Sequence, residues 1–186
     1  MRTGARHALL GGVLCAALGA APPLLATARE AAPASPPEPA LIPRPASLER
    51  GAGEFVVRTG TPVRVESAWP EAIGIARGFA ERLAASRGLR VDLAPRGARA
   101  ERAAIVFALN PSLPSALGDE GYSLAVDAHG IRVAARAPAG LFYGGVTLWQ
   151  LLTQDFARTD AITLPALRID DAPRFAWRGA LLDSAR

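Results

Sequence analysis

The sequence contains no lysine, only one cysteine and only two histidines among its 186 residues. Its 21 basic residues are therefore all arginines, and alanine fills 40 positions, which indicates a biased genome composition more than a binding function. Without lysine, the chain has neither a Schiff-base amine nor a phosphate-loop lysine. A single cysteine also excludes a disulfide framework and a cysteine-based zinc site.

The overall composition is that of a globular protein, with 50% hydrophobic and 20% charged residues. The length allows one ordinary domain and a short remainder. The arginines do not cluster with interleaved aromatic residues, so nothing indicates nucleic-acid binding. The high isoelectric point follows from arginine chemistry and not from a strongly basic surface.

Residues 1–28 predict an export signal. Arg2 and Arg6 provide the positive start, an apolar run follows over residues 8–21, and residues 26–28 match the small-x-small cleavage pattern. The run is shorter than the roughly 20 residues of a membrane span, so no span is expected. A retained signal anchor is the alternative, which the prolines at 22–23 disfavour. We therefore expect an exported protein, located in the periplasm or outside the cell.

Cleavage after Ala28 changes the chemistry that remains. Leu14 precedes Cys15 where a lipoprotein signal carries a small residue, so we do not expect a lipid anchor. The mature chain then has no cysteine, and loss of two arginines lowers the net charge from +4 to +2. Residues 29–40 contain four prolines and predict an extended linker ahead of the folded part.

Residues 41–170 predict one domain with the element order β-β-α-β-β-β-β-α. The runs at 55–57 and 63–65 flank a turn at 59–62, which indicates a first hairpin; those at 122–126 and 131–135 indicate a second. We expect a two-layer α+β fold, in which two helices cover one face of a mostly antiparallel sheet.

Two segments have helical periodicity. In the first, over residues 70–87, apolar residues recur at helical spacing from Ala72 to Leu83, and Gly88 follows as the C-terminal cap. The second begins at Pro138 and runs to about Thr153. It contains the pair Gly144-Gly145, which should cost about 1 kcal/mol per glycine relative to alanine. We expect this cost to be offset by close packing of that helix face on the sheet.

The C-terminal residues have a different pattern. Residues 162–169 are predicted to be extended and to be followed by a break at Asp170-Asp171-Ala172-Pro173. Residues 177–183 have the pattern of a buried strand, close to Arg186. A strand there has no partner on its far side, so we interpret residues 171–186 as the first strand of a further domain.

The remaining polar and aromatic candidates favour structural roles. Adjacent Asp170 and Asp171 should point to opposite faces of an extended chain, which disfavours acid–base partnership. Asp119-Glu120 lies between glycines and predicts a solvated loop, and His129 lies in a hairpin turn, where exposure is expected. One histidine and no cysteine also argue against a zinc site.

Other side chains are expected in the core or without a chemical partner. Tyr122, Trp69 and Trp149 fall on apolar faces, which predicts burial more than sugar stacking. The serines at 47, 123 and 184 have no nearby histidine base, so a serine nucleophile is not indicated.

Three segments together resemble family 20 glycoside hydrolases, the β-N-acetylhexosaminidases. They are LIPRPASLERGAGEF at 41–55, GYSLAVDAHGIRVAARAPAGLFYGGVTLWQLL at 121–152 and DDAPRFAWRGALLDSAR at 170–186. The resemblance implies an α+β domain that precedes a (β/α)8 barrel, whose first strand begins in the third segment. It also implies hydrolysis of terminal N-acetylhexosamine from glycans or chitin fragments, without a cofactor or metal.

The resemblance implies substrate-assisted retaining catalysis, in which the sugar's acetamido oxygen attacks the anomeric carbon. The Asp-Glu pair that supports this step in the family has no counterpart in this chain, so we expect no catalytic residue here and no activity of this chain alone. One sugar-binding residue does match: Arg178 occupies the arginine position of the W-R-G motif. Asp183 and Arg186 match the L-D-x-x-R pattern and are interpreted as structural charges.

Two other interpretations remain open at this point. The chain could be a standalone, non-catalytic module that binds a glycan or a protein. It could also belong to another glycosidase with a similar accessory domain, such as an α-glucuronidase, although the PRFAWRG segment disfavours this. By spacing alone, an ion pair with a neighbouring carboxylate such as Asp183 is the favoured explanation of Arg178, and only the resemblance favours sugar binding.

Overall fold

The described part of the chain is a seven-stranded sheet with two helices. The structure, a computed structural model, describes residues 38–95, 97, 103–155 and 157–181. The predicted signal of residues 1–28, the linker up to Pro37, and both Asp183 and Arg186 lie outside these residues. The principal elements are β1 (Ser47–Arg58), β2 (Pro62–Glu66), α1 (Pro70–Arg87), β3 (Asp92–Leu93), β4 (Ala104–Leu109), β5 (Tyr122–Asp127), β6 (Gly130–Ala135), α2 (Pro138–Leu152) and β7 (Ala161–Asp171).

The sheet is mixed, which corrects the expectation of a mostly antiparallel one. Its strand order is β1-β7-β5-β6-β4-β2-β3. The pairs β1/β7, β5/β7 and β5/β6 are antiparallel, whereas β2/β3, β2/β4 and β4/β6 are parallel. The reason is topological, because α1 returns the chain to begin β3 in the direction of β2, and parallel neighbours require such a crossover.

The predicted first hairpin is wrong, because β1 and β2 are not neighbours. β1 pairs with β7 at one edge of the sheet. The turn between β1 and β2 is hydrogen-bonded to residues that lie far away in the sequence. The amide of Thr59 donates to the carbonyl of Asp160 at 3.1 Å, and that of Gly60 donates to Arg90 at 2.9 Å. β7 meets β5 only over residues 167–171, so the rest of β7 and the end of β1 form a two-stranded ribbon.

The second hairpin is confirmed. β5 and β6 pair antiparallel in full register from Tyr122↔Ala135 to Asp127↔Gly130. The Asp127 carboxylate accepts hydrogen bonds from the backbone amides of His129 at 2.7 Å and Gly130 at 3.1 Å, which closes the turn. His129 is exposed at this turn, as expected.

Helix α1 follows its sequence signals closely. Pro70 stands at its start, Gly88 caps its end with a φ of 74°, and Ala72, Ala76, Phe79 and Leu83 are buried. The Phe79 ring lies 5.4 Å from that of Phe107 on β4, so the helix packs its apolar stripe against the sheet. Trp69, which was expected to be buried, is 58% exposed because it precedes the helix and lies outside that stripe.

Helix α2 packs on the same face of the sheet, and its glycines lie against it as predicted. A Cβ atom on Gly144 would come within 2.5 Å of Val133 Cγ1, and one on Gly145 within 3.2 Å of the Phe107 ring. Trp149 is partly buried, and its indole N–H donates to Ser86 Oγ on α1 at 3.0 Å. Both helices therefore share one core layer with the sheet.

The predicted strand at 177–183 is not formed over its described part. Residues 172–181 have no strand pairing in the part of the chain that the structure describes, and Trp177 is 87% exposed. A strand requires a neighbouring backbone to receive its hydrogen bonds, and β7 is the last of the described elements that has one. None of the described helices is long and apolar enough to cross a membrane.

Candidate functional site

A groove lies along the outer side of α2. It has a volume of about 730 Å³ and runs between residues 42–44 on one side and residues 171–178 on the other. Its α2 wall carries Phe142, Tyr143 and Val146, which alternate at helical spacing with the inward-facing residues of that helix. The groove brings aromatic surface together with three arginines, at positions 44, 174 and 178.

Residues 40–42 are attached by two glutamines, Gln150 on the last turn of α2 and Gln154 just after its end. Gln150 accepts from the Ile42 amide and donates to the Ile42 carbonyl, both at 2.9 Å. Gln154 makes the same pair of bonds to Ala40, at 2.8 and 3.2 Å. The two side-chain amides thus replace the neighbouring strand that this extended segment would otherwise need.

A polar cluster around the buried Tyr122 forms part of the groove lining. The Tyr122 hydroxyl is 2.6 Å from Thr147 Oγ1 and donates to Asp171 Oδ2 at 3.3 Å, while Asp171 Oδ1 accepts from the Ala46 amide at 2.9 Å. Burial, more than the neighbouring carboxylate, raises the pKa of Tyr122 well above its ordinary value of 10.0. The phenol therefore stays neutral and joins β5, α2 and β7.

Arg178 lies at the C-terminal wall of the groove, where it pairs with Glu120. Its Nη2 donates to Glu120 Oε1 at 2.7 Å, and its Nη1 donates to the Phe175 carbonyl at 2.6 Å. Its hydrogen bond to Glu120, and after it the one with Tyr143, raises the pKa of the guanidinium above its ordinary value. The groove thus holds a permanently charged donor group at its rim.

Asp170 and Asp171 point to opposite faces of β7, as the sequence predicted. Asp170 accepts two hydrogen bonds from Arg168 on the outer face, at 2.8 and 3.2 Å, while Asp171 faces Tyr122 on the helix side. Two carboxylates that are held apart in this way cannot work on one bond as acid and base.

The other candidates stay apart from the groove or outside the description. Ser123 is buried within the sheet, His129 lies at the far hairpin turn, and Ser184 lies outside the described residues. Within the described ranges, no three histidine, cysteine, aspartate or glutamate side chains come together as metal ligands.

Sequence reasoning missed two groove residues, Glu120 and Gln150, and Gln154 near the groove. Glu120 was interpreted only as a solvated loop residue, although it is half-buried and pairs with Arg178. Gln150 and Gln154 were not singled out, because their partners lie more than 100 positions away. The one available signal was their spacing of four residues across the C-terminal end of α2.

Comparison with known proteins relates this sequence to the glycosyl hydrolases. The sequence pattern of glycosyl hydrolase family 20, domain 2, matches residues 38–172. The chain is 35% identical over 150 residues to a β-N-acetylhexosaminidase of Cellulomonas fimi. The aligned region covers 81% of this chain and 29% of that protein. The chain is also 33% identical over 153 residues to a β-hexosaminidase of Vibrio furnissii, covering 78% and 21%.

The fold agrees with solved structures of this group. The N-acetyl-β-hexosaminidase of Streptomyces plicatus, in complex with thio-NAglucal, superposes with a TM-score of 0.60 at 32% identity, covering 72% of this chain and 26% of that one. The Streptomyces coelicolor β-N-acetylhexosaminidase gives 0.58 at 34% identity, covering 72% and 26%. The chain spans less than a third of the length of these relatives. It belongs to glycosyl hydrolase family 20, and residues 38–172 are its domain 2.

Proposed function

We propose that these residues are the N-terminal part of an exported β-N-acetylhexosaminidase. The whole enzyme would remove terminal N-acetylhexosamine from glycans or chitin fragments by substrate-assisted retaining catalysis. The observation that carries this proposal is the domain 2 match over residues 38–172, together with relatives named as hexosaminidases. Export is supported by the signal pattern of residues 1–28.

Arg178 is the residue of this chain that we assign to the sugar. A guanidinium presents several donors in one plane and suits the vicinal hydroxyls of a terminal sugar. In the structure it lies at the rim of an open groove, with its side chain 40% exposed. Its ion pair with Glu120 satisfies part of the group, and further N–H donors remain for a ligand.

Residues 171–186 would begin the (β/α)8 barrel that carries the chemistry. The last residue of β7, Asp171, is followed by an exposed segment with Phe175 and Trp177, as expected for a strand whose neighbours belong to another domain. The acid that protonates the leaving group, and the carboxylate that orients the acetamido group, would both come from that barrel. This chain by itself should therefore be inactive.

The test is a hydrolysis assay on the purified 186-residue chain with a chromogenic N-acetylglucosaminide. No leaving group should be released above the rate of a buffer blank, whereas the complete protein should release it readily. Release by the 186-residue chain would contradict the proposal that the catalytic carboxylates lie in the barrel. The coding sequence beyond Arg186 provides the second check, because it should continue into a barrel with an adjacent Asp-Glu pair.

A further inference from the structure

The carboxylate of Asp171 lies where β7 stops pairing with its neighbours. On one side, the register with β5 ends at the pair Tyr122↔Asp171, and on the other side, the register with β1 ends at Ser47↔Asp170. The residue just before β1 continues alongside, and its backbone amide, that of Ala46, donates to Asp171 Oδ1 at 2.9 Å. The Asp171 side chain therefore extends the attachment of β1 to β7 by one residue.

The second oxygen of this carboxylate is held by a phenol that has little room to move. Tyr122 is 3% exposed, and its ring lies so close to α2 that a Cβ on Gly144 would come within 3.1 Å of it. Its hydroxyl lies 2.6 Å from Thr147 Oγ1 and donates to Asp171 Oδ2 at 3.3 Å. Asp171 is therefore held from two directions, by the phenol between β5 and α2 and by the backbone at the start of β1.

The chain that leaves Asp171 is stiff over its first two residues. The ring of Pro173 fixes its own φ, and Ala172, because it precedes a proline, is restricted to extended conformations. Few free torsions therefore separate the fixed carboxylate from Phe175. The orientation of the backbone at Asp171 consequently sets the direction in which the following segment starts.

We propose that Asp171 is a positioning residue, which sets the point and direction at which the chain leaves domain 2 and so places the first barrel strand. The inference rests on the proposed function, in which that strand belongs to a barrel and Arg178 binds the sugar from it. Asp171 itself does not contact the substrate. Its neighbour Asp170 has no part in this, because it lies on the outer face of β7 and pairs with Arg168.

The test is hydrolysis of a chromogenic N-acetylglucosaminide by variants of the complete protein. Asp171→Ala should raise KM by about three- to tenfold and change kcat by less than about twofold, because a displaced Arg178 weakens sugar binding in the ground state and the transition state alike. A merely structural role would lower the amount of active enzyme, and therefore the apparent kcat, without changing KM. Asp171→Asn keeps an acceptor for the Ala46 amide and a polar partner for Tyr122, so its KM should stay close to that of the wild type. The matched control is Asp170→Ala, which should leave both constants unchanged.

Two further variants test whether the effect passes along the chain to Arg178. Pro173→Gly leaves the carboxylate in place and loosens only the chain after it, so it should raise KM in the same direction. In the Arg178→Ala background, Asp171→Ala should have little further effect on KM, because the group that it places is absent. An unchanged KM in Asp171→Ala or in Pro173→Gly, or a full effect of Asp171→Ala in the Arg178→Ala background, overturns the inference alone. If the complete protein does not hydrolyse the substrate at all, the proposed function fails, and the inference fails with it.

Discussion

Gly144 sets the distance between α2 and the sheet. Its missing side chain leaves room for Val133 and for the Tyr122 ring, which a Cβ would approach to 2.5 and 3.1 Å. Val133 is β-branched and fixed within a central strand, so it has little room to yield. Glycine is less favourable than alanine within a helix, but here it allows the helix to pack more closely on the sheet, which offsets that cost.

Substitution of this glycine should destabilise the fold even though alanine favours helices. We expect Gly144→Ala to lower the free energy of unfolding by about 1–3 kcal/mol through overpacking. The control is Gly74→Ala in α1, where a Cβ meets nothing within 4 Å, and this variant should gain about 0.5–1 kcal/mol. Urea unfolding of the chain measures both, and equal shifts in one direction would contradict the packing argument.

Arg87 is the one charged residue within the described core, and Asp155 compensates it. Its guanidinium donates to both the carboxylate and the carbonyl of Asp155, although the Arg87 side chain is only 5% exposed. The hydrogen bond from Arg87 is the main cause that holds the pKa of Asp155 below its ordinary value. This pair attaches the chain after α2 to the last turn of α1.

The Asp155 pair should make stability depend on pH in one direction. A lowered folded-state pKa means that the stabilisation is complete above the unfolded pKa of about 3.9 and is lost as the pH falls through the folded-state value. Asp155→Asn should therefore be less stable than the wild type at neutral pH, and the difference should shrink in acid. The control is Asp160→Asn at an exposed position, where no such pH-dependent difference is expected. The measurement is the urea unfolding midpoint across the pH range. A difference between Asp155→Asn and the wild type that stays constant with pH would contradict the prediction.

At the scale of elements, α2 organises both sides of the domain. Its inner side packs small residues on β5 and β6, while its outer side binds residues 40–42 and forms the wall of the groove. Phe142 on that wall is covered by the Arg82 guanidinium, 5.6 Å from its ring centre, so α1 also contributes to the outer surface. One helix therefore connects the core to the candidate site.

The attachment of residues 40–42 depends on the two glutamines. Replacing both Gln150 and Gln154 by alanine removes four hydrogen bonds to Ala40 and Ile42. We expect the amides of these two residues to lose their protection from hydrogen exchange, while global stability falls by less than about 2 kcal/mol, because the bonds are exposed to water. Retained protection at Ala40 and Ile42 would show that the buried Leu41 holds the segment instead.

At the scale of the whole molecule, residues 173–181 are exposed and, apart from Arg174 and Arg178, apolar. Phe175, Trp177 and Leu181 are 71%, 87% and 97% exposed, whereas large apolar side chains on a surface are normally scattered singly. If this segment begins a barrel in the complete enzyme, Trp177 should be covered there.

Tryptophan fluorescence can test this covering. In a chain with Trp69→Phe and Trp149→Phe, only Trp177 emits, and we expect acrylamide to quench it almost as strongly as free tryptophan. In the complete protein, the emission that is lost on Trp177→Phe identifies the contribution of Trp177, and acrylamide should quench that contribution much more weakly, because packing excludes the quencher. Equal quenching in both proteins would contradict the assignment of residues 171–186 to a barrel strand.

Local patterns predicted most of the elements correctly. Three features depend only on residues close to one another in sequence: the stripe from Ala72 to Leu83, the glycine cap at 88 and the turn at Asp127–Gly130. They can therefore be predicted without knowledge of the tertiary structure. The pairing of β1 was predicted wrongly because the Thr59-Gly60 turn favours a hairpin locally, whereas β7, about a hundred residues later, offers the partner that the sheet uses. The site was incomplete for the same reason, since Glu120 and Arg178 are 58 residues apart.

By itself, the sequence determined the α+β class, the element order and the family resemblance. Periodicity, caps and glycine positions act over a few residues, where the chain has few alternatives. Only the tertiary structure decided that the sheet is mixed, that Trp69 is exposed and that Glu120 holds Arg178. These depend on which distant segments the folded core brings within hydrogen-bonding distance, and no local pattern records that choice.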